Sequence, residues 1–324
     1  MKPLIERHRR LAVRCPKCGT HVIAAVPPAI RGTPFGPRLH AVATYLKTFQ
    51  ALSYERLQAV LSDLFGLPIS QGGLMNMLRR AQGCFQTRRD DAVAVLRRAE
   101  VVASDETGVR IEGTNAYHWV FRCQGAVVHQ AAPTRAASVV REMMEGHRPK
   151  VWLSDRYSAQ QGHAAAQQTC LAHLARDIAY AREASDDPLP LRLELWLRSA
   201  FDLASAITIF AASTLAAKRR SLERRLAEIL EAPTTCDLAR DIQRKFRRAR
   251  DQLLTFVAFP GAVDVTNNAC ERDLRPAVVQ RKVTNGYRAM WAAQGEAAVR
   301  TVVDTARLSP EMSAFGTILK TVSA

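Results

Sequence analysis

Val101-Val102-Ala103-Ser104-Asp105-Glu106-Thr107-Gly108 is the stretch on which the reading of this chain turns. Val101 to Ser104 forms an apolar run of the kind found in a central strand buried on both faces, and Asp105 is expected at its end. Beyond it, Val109 to Glu112, a turn at Gly113-Thr114-Asn115 and Tyr117 to Arg122 read as a hairpin. A second turn at Gln124-Gly125 leads into a strand from Ala126 to His129. Thr134 can cap a helix running to Glu145, after which Lys150 to Leu153 is another strand and Gln167 to Leu171 a short fifth. The second apolar run ends as the first does, in Leu153-Ser154-Asp155-Arg156-Tyr157. Three antiparallel strands, a helix and a parallel strand make an α/β fold.

A third acid, Glu271, lies one turn into a helix that starts at Thr266-Asn267-Asn268, with Thr266 or Asn267 as its cap. Asp105 and Asp155 are 50 residues apart and Asp155 and Glu271 are 116 apart, so only folding can join them. Two carboxylates at strand ends and one on a helix can converge on a pair of Mg²⁺ ions, which accept a few carboxylate oxygens plus water and phosphate. Two-metal sites of that kind cut and join phosphodiesters. A lone strand-end aspartate is more often a turn cap; three acids in three such contexts are not. Glu106 is the rival ligand, but alternation along a strand turns it away from Asp105.

The charge balance agrees with a polyanionic substrate. The 324 residues carry 46 Lys+Arg against 30 Asp+Glu, a net charge of +16, which favours nucleic acid or an anionic surface. No run has the length and apolar character of a signal peptide or a membrane span; Leu203 to Ala217 comes nearest. Seven cysteines without a secretory signal read as reduced thiols in a cytoplasm.

At the N-terminus Cys15-Pro16-Lys17-Cys18-Gly19 is a knuckle that could supply half of a Zn²⁺ site, with His8 and His21 as substitutes for a missing pair. Pro27 to Pro37 reads as a linker. Val42, Tyr45, Leu46 and Phe49 recur at helical spacing, as do Leu57, Val60, Leu61 and Leu64. A break at Gly66-Leu67-Pro68-Ile69 leads to Ser70, an N-cap for a helix carrying Leu74, Met77, Leu78 and Ala81. The pair resembles a helix-turn-helix, whose polar residues Gln71, Asn76, Arg79 and Arg80 could meet DNA; an ordinary helical hairpin is the alternative.

From about residue 177 to 260 the strand signals stop. Leu193, Trp196, Leu197 and Ala200 fit one helix and Leu222, Leu226 and Ile229 another. Basic residues such as Arg224, Arg225, Arg247 and Arg248 decorate solvated faces that could also track phosphates. Arg272, Arg275, Arg281 and Lys282 follow Glu271 and could clamp DNA phosphates.

Taken in order, Ser104-Asp105-Glu106-Thr107-Gly108, Leu153-Ser154-Asp155-Arg156-Tyr157, Cys170-Leu171-Ala172-His173-Leu174-Ala175-Arg176-Asp177, Thr266-Asn267-Asn268-Ala269-Cys270-Glu271-Arg272 and Leu274-Arg275-Pro276 resemble the DDE transposases of the insertion-sequence 66 family. The resemblance runs from about Arg7 to Leu308. It implies a ribonuclease-H-like catalytic core (99–176 and 261–308) interrupted by a helical insertion (177–260). A zinc-knuckle-like arm and linker (1–38) and a helical DNA-binding region (39–98) would precede the core, and a tail (309–324) would follow it. It implies Asp105, Asp155 and Glu271 as catalytic ligands of Mg²⁺ or Mn²⁺, strand cleavage at element ends and strand transfer into target DNA. The implied partners are DNA, further copies of the chain on that DNA and accessory transposition proteins, in a bacterial cytoplasm at the nucleoid and not in a membrane. Cys170 and His173 match a Cys-x-x-His element of several transposase families, either beside the active site or as a packed core pair. Two departures stand out: Cys270 replaces a small residue, and the upstream cysteine pair of the family's zinc ribbon is missing. A truncated transposase that only binds DNA, or a nuclease on the same fold, are the competing readings.

Overall fold

The computed structural model describes residues 2–26 and 33–324, so most of the expected linker lies outside the described residues. Its centre is a five-stranded mixed sheet made of β3 (Val101–Ile111), β4 (Thr114–Arg122), β5 (Val127–Ala132), β6 (Val151–Ser154) and β7 (Ala166–Thr169). The spatial order is β5-β4-β3-β6-β7; β3, β4 and β5 are antiparallel, and β6 and β7 run parallel to β3. Alternation along β3 and β4 sends Val102, Trp119 and Phe121 to one face, where they pack with Trp152, Val140 and Met144. The opposite face receives Ala103 and Val120.

Two expectations change here. Val101 to Ile111 is one continuous strand, so Asp105 lies within it and not at its end. The hairpin turn is Glu112-Gly113, not Gly113 to Asn115: Ile111 pairs with Thr114, and φ is 54° at Glu112 and 75° at Gly113. Two successive positive φ values give the turn whose twist suits adjoining strands.

β3 pairs with β6 only from Val101 to Ala103, and beyond that step its edge is bare of strand partners. Such an edge needs other donors, and α10 (Asn268–Thr284) with the loop after it supplies them. Asn267 Nδ2 donates to the Ser104 carbonyl at 2.8 Å, Arg281 Nη1 to that of Gly108, and the Tyr287 amide to that of Arg110 at 2.8 Å.

The other edges are closed in the same spirit. α11 (Met290–Ala306) lies along β5, where the Thr301 and Thr305 hydroxyls accept the amides of His129 (2.8 Å) and Val127 (3.0 Å). Two residues along a strand advance about 7 Å and four along a helix about 6 Å, so this spacing fits both elements. At β7, the Thr255 hydroxyl donates to the Gln167 carbonyl (2.7 Å) and the Gln168 side chain accepts the Phe256 amide (2.9 Å).

The helical region consists of α1 (Pro37–Thr48), α2 (Tyr54–Phe65), α3 (Gln71–Gly83) and α4 (Gln86–Leu96). Gly66 ends α2 in the left-handed conformation, and Ser70 accepts the Gly73 amide at 3.1 Å as the N-cap of α3. Leu74, Met77, Leu78 and Ala81 are buried as their spacing predicts, whereas Leu64 is exposed. This region does not stand alone. The stretch expected as a tail contains α12 (Ala314–Val322), whose Ile318 packs with Ala41, Phe85, Ala298 and Val303.

Buried polar groups pin these layers together. Arg300 Nη2 donates to Glu296 Oε1 at 2.9 Å and to the Thr48 carbonyl of α1 at 2.8 Å, while Gln280 of α10 donates to Glu296 at 2.5 Å. Beside it, His118 and His129 share a 2.9 Å hydrogen bond, and His129 meets Asp304 at 3.1 Å.

Between Leu171 and Ala249 lie α6 (Leu171–Ala184), α7 (Pro188–Ser205), α8 (Ala212–Glu231) and α9 (Asp237–Ala249), with no strand among the described residues. Their core holds Leu193, Trp196, Leu226 and Phe246. Trp196 is fully buried and donates to the Leu222 carbonyl at 2.8 Å, so it serves the core. α5 (Ala137–Met144) starts later than expected: Thr134 accepts the Ala136 amide (3.1 Å) in a turn before the helix and does not cap it.

Candidate active site

Asp105 sits just past the point where β6 leaves β3. Ala103 lies opposite Leu153, and Asp155 follows Leu153 by the same two residues that separate Asp105 from Ala103. The parallel register therefore places both acids at one level, a link between strands that the sequence alone does not show. Asp155 caps its own loop, Oδ1 accepting the Tyr157 amide at 2.9 Å. Burial first, then the carboxylates of Glu106, Asp155 and Glu271, push the Asp105 carboxyl up from its ordinary 3.8 to about 7. The Glu106 amide donates to Asp105 Oδ1 at 2.9 Å and partly opposes that shift.

Glu106 turns to the other face of the sheet, as alternation requires. Its carboxylate is almost wholly buried, ion-paired with Arg135 and hydrogen-bonded to Gln160 Nε2. Burial still pushes it upward, against the pull of Arg135. Gln160 also accepts from Trp152 Nε1 at 3.3 Å and bonds the Ser104 hydroxyl. Arg135 in turn lies 3.7 Å over the Tyr157 ring. This chain of contacts fastens the loop after Asp155 to β3.

Glu271 arrives on α10, in its first turn. Neither expected cap operates. Asn267 is the N-cap residue, but its side chain makes no cap bond and reaches instead to Ser104, while its amide donates to Cys170 Sγ at 3.1 Å. Cys170 is the N-cap position of α6 and is fully buried; burial pushes its thiol up. Asn267, expected only as a cap, thus ties α10 to β3 and α6, a role the sequence hides because both its partners are remote in the chain. Cys270 is buried in the apolar layer with Val120, Val127 and Leu274, and points into the core.

One turn into α6, His173 Nε2 lies 3.8 Å from Glu271 Oε1, and Arg176 Nη2 donates to the same oxygen at 2.8 Å. Burial and the Arg176 charge push His173 down. The Cys-x-x-His element divides between its two alternatives: the cysteine packs in the core, and the histidine faces Glu271.

Among the described residues, no group of three or more His, Cys, Asp or Glu side chains is gathered closely enough to hold a metal ion. The three acids, on β3, just after β6 and on α10, are near enough for Asp155 and Glu271 to act on Asp105 without surrounding one point. The donor set nonetheless suits a hard cation: its oxygens are carboxylate, and the repulsion felt by Asp105 is of the kind a cation relieves. Cys15 and Cys18 close the hairpin of β1 (Ala12–Arg14) and β2 (His21–Ile23), where the Thr20 hydroxyl bonds Cys18 at 3.1 Å. That bond, with lesser help from Cys15, lowers Cys18 to about 7.

Among the residues expected to touch DNA, Gln71, Asn76, Arg79 and Arg80 are all exposed on α3, and Arg79 stacks 5.0 Å over Trp291 of α11. Arg272, Arg275 and Lys282 are exposed on α10, and Arg281 is half-buried against Gly108. No helix among the described residues is long and apolar enough to cross a membrane.

A strongly basic α/β protein with an acidic site at a step in its sheet is thereby defined. The chain matches the family model described as Transposase IS66 family over residues 32–295, and it belongs to that family. No curated protein matches it.

Proposed function

We propose that Asp105, Asp155 and Glu271 form a DDE site on a ribonuclease-H-like core, cutting one strand at element ends and joining the freed 3′-hydroxyl to target DNA. The carrying observation is geometric: the parallel register of β3 and β6 sets Asp105 and Asp155 at one level, and α10 brings Glu271 near enough that, after burial and Glu106, both acids repel the Asp105 charge. Such mutual repulsion is a common mark of a working acid site. Mg²⁺ or Mn²⁺ would supply activation of the attacking hydroxyl or water and neutralisation of the leaving oxygen. Asp105, Asp155 and Glu271 would hold those ions. Asn267 and Cys170 orient the α10 start, and Glu106 with Gln160 orients the Asp155 loop. Arg176 neutralises Glu271 and, at 61% exposure, has room to turn toward a phosphate. Gln71, Asn76, Arg79 and Arg80 would read or hold DNA from α3, and Arg272, Arg275, Arg281 and Lys282 from α10. Residues 39–98 are read as the DNA-binding region, 177–260 as an insertion, and the assembly on DNA as a homo-oligomer with or without accessory proteins.

The test uses the full chain with labelled element-end DNA, a supercoiled target and Mg²⁺ or Mn²⁺. Joined products ending in a target nick support the reading. Cutting without joining would make the protein a nuclease, and binding without cutting a DNA-binding protein.

A further inference from the structure

Of the three acids, only Glu271 is ion-paired among the described residues. Arg176 Nη2 donates to Glu271 Oε1 at 2.8 Å. His173 Nε2, 3.8 Å from the same oxygen, is too far for a hydrogen bond. The next residue on α6 behaves differently. Asp177 Oδ2 accepts from Arg156 Nη2 at 2.6 Å, and its Oδ1 meets Lys245 Nζ of α9 at 3.1 Å, with all three side chains partly buried. That cluster fixes α6 against the loop after Asp155, whereas the Arg176 guanidinium lies largely in solvent.

Only a side chain has to move for the Arg176–Glu271 pair to open. The start of α6 is held by the Asn267 amide on Cys170 Sγ (3.1 Å) and by the Leu171 amide on the Val265 carbonyl (2.9 Å). Both contacts come from the segment that leads into α10, so the two helix starts are tied to each other. An ion pair this exposed is weak, and a guanidinium finds a matching partner in a phosphodiester, whose two free oxygens fit its fork. Arginine keeps its proton at any working pH. Its charge therefore competes with a divalent cation for the Glu271 oxygen and yields only by turning away.

We propose that Arg176 is an autoinhibitory latch: in the free protein it occupies the Glu271 oxygen and closes that ligand to a divalent cation, and a DNA phosphate opens it by taking the guanidinium. Asp105 and Asp155 carry no such pair, so the site is half-formed until DNA arrives. The latch rests on the reading of the three acids as the metal-binding catalytic site. Arg176 is a positioning residue in it, since it acts through Glu271. Coupling of this kind is reciprocal: the factor by which DNA raises cation affinity is the factor by which the cation raises DNA affinity. Removing the latch lowers that factor, because the free protein is then already open.

Binding of Mn²⁺ to the full chain without DNA, read from the electron paramagnetic resonance signal of the free ion, tests the closed state. Arg176→Ala should bind Mn²⁺ about two- to fivefold more tightly than the parent, the range set by an exposed ion pair. A damaged fold does not raise affinity. Arg272→Ala removes the same charge next to Glu271 on α10, with no ion pair to it, and should raise affinity by less. No rise in Arg176→Ala, or an equal rise in Arg272→Ala, overturns the latch. Anisotropy of labelled element-end DNA, with Ca²⁺ in place of Mn²⁺ to hold back cleavage, tests the opening. Ca²⁺ should tighten DNA binding by the parent more than by Arg176→Ala; equal gains overturn the release by DNA. Asp105→Asn and Glu271→Gln separate the latch from the reading beneath it. Mn²⁺ binding that both acid variants weaken and Arg176→Ala does not raise removes the latch and keeps the acid site. Mn²⁺ binding indifferent to both acid variants removes the acid site, and the latch with it.

Discussion

The hairpin that carries Cys15 and Cys18 and the sheet that carries Asp105 hold reactive groups in opposite ways. In the hairpin, two three-residue strands are exposed throughout, and the thiols are placed by a local turn: the Cys15 amide donates to the Thr20 carbonyl and the Gly19 amide to the Cys15 carbonyl, each at 2.9 Å. Around the sheet, the acids depend on segments that only the fold brings together: the Asp155 loop is tied to β3 through Gln160 and Glu106, and the α10 start through Asn267 and Ser104. Asp105 is set by its strand neighbours, Asp155 by the Gln160 loop and Glu271 by Asn267, Arg176 and His173. Local turns can position ligands without a core, but only packing can bury a carboxylate enough to move its proton affinity. The first device is legible from five consecutive residues and the second is not.

The largest effect should come from the sheet. Asp105→Asn, Asp155→Asn and Glu271→Gln should each reduce metal-dependent cleavage to background at nearly constant side-chain volume. Any one of them cutting at the parent rate would show that acid to be misassigned. Asp105→Asn should further separate stability from activity. Because the folded carboxyl is raised to about 7 from 3.8, its favourable contribution is complete below 3.8 and is lost as pH rises through 7. The asparagine variant should therefore melt above the parent at pH 8, with the gap closing toward pH 5; a gap independent of pH would contradict the burial of that charge.

Next comes the helical region, whose core depends on the chain's last helix. Ile318 is fully buried among residues of α1, α11 and the turn between α3 and α4. Ile318→Ala should cost about 2–5 kcal/mol in denaturant unfolding, and DNA binding should be lost at the same denaturant concentration as helicity. A loss of less than about 0.5 kcal/mol would mean that α12 is dispensable. For the same reason DNA binding belongs in an assay of the full chain: a fragment ending near residue 98 would expose Ala41 and Phe85 where α11 and α12 now cover them.

What the sequence made legible follows the range of the forces involved. The Ser70 cap with the Leu74, Met77, Leu78 and Ala81 stripe, the order of the five strands and the end of strand signals after β7 are local patterns, and the structure has them. β3 was cut short in the reading because Asp105, Glu106 and Gly108 do not look like strand interior; they are tolerated there since the edge from Ser104 onward faces α10 and not another strand. α11 escaped notice because its buried face mixes Ala and Val with Glu296, Arg300 and Asp304, and α12 because it is only nine residues long and buries two threonines beside Ile318. The Arg300–Glu296–Gln280 and His118–His129–Asp304 groups were invisible for a different reason: polar residues predict a surface unless their partners are known.

A smaller effect should follow from Asn267→Ala. It removes the bond to the Ser104 carbonyl, leaving a buried acceptor without its donor at a cost of about 1–3 kcal/mol. No metal ligand is lost, so cleavage should fall while DNA affinity holds. Parent-like cleavage would show that the α10 start is fixed by Cys170 and the helix packing alone.

The smallest effect is expected in the hairpin. Cys15→Ser/Cys18→Ser should leave the melting of the sheet unchanged, because every residue of β1 and β2 is exposed and none packs in the core clusters. A Zn²⁺ bound there would meet only two thiolates, since no third His, Cys, Asp or Glu among the described residues joins them in a cluster, and a closed structural site needs four ligands. The Thr20 and Cys15 contacts already draw the Cys18 thiol down to about 7 without a metal. Metal analysis of the parent should accordingly find zinc that dialysis against a chelator removes without shifting the main transition. Stoichiometric zinc that survives dialysis, together with unfolding of the double variant, would mean that His8, His21 or a second copy of the chain completes the tetrahedron and that the hairpin is built by its ion as firmly as the sheet is by its packing.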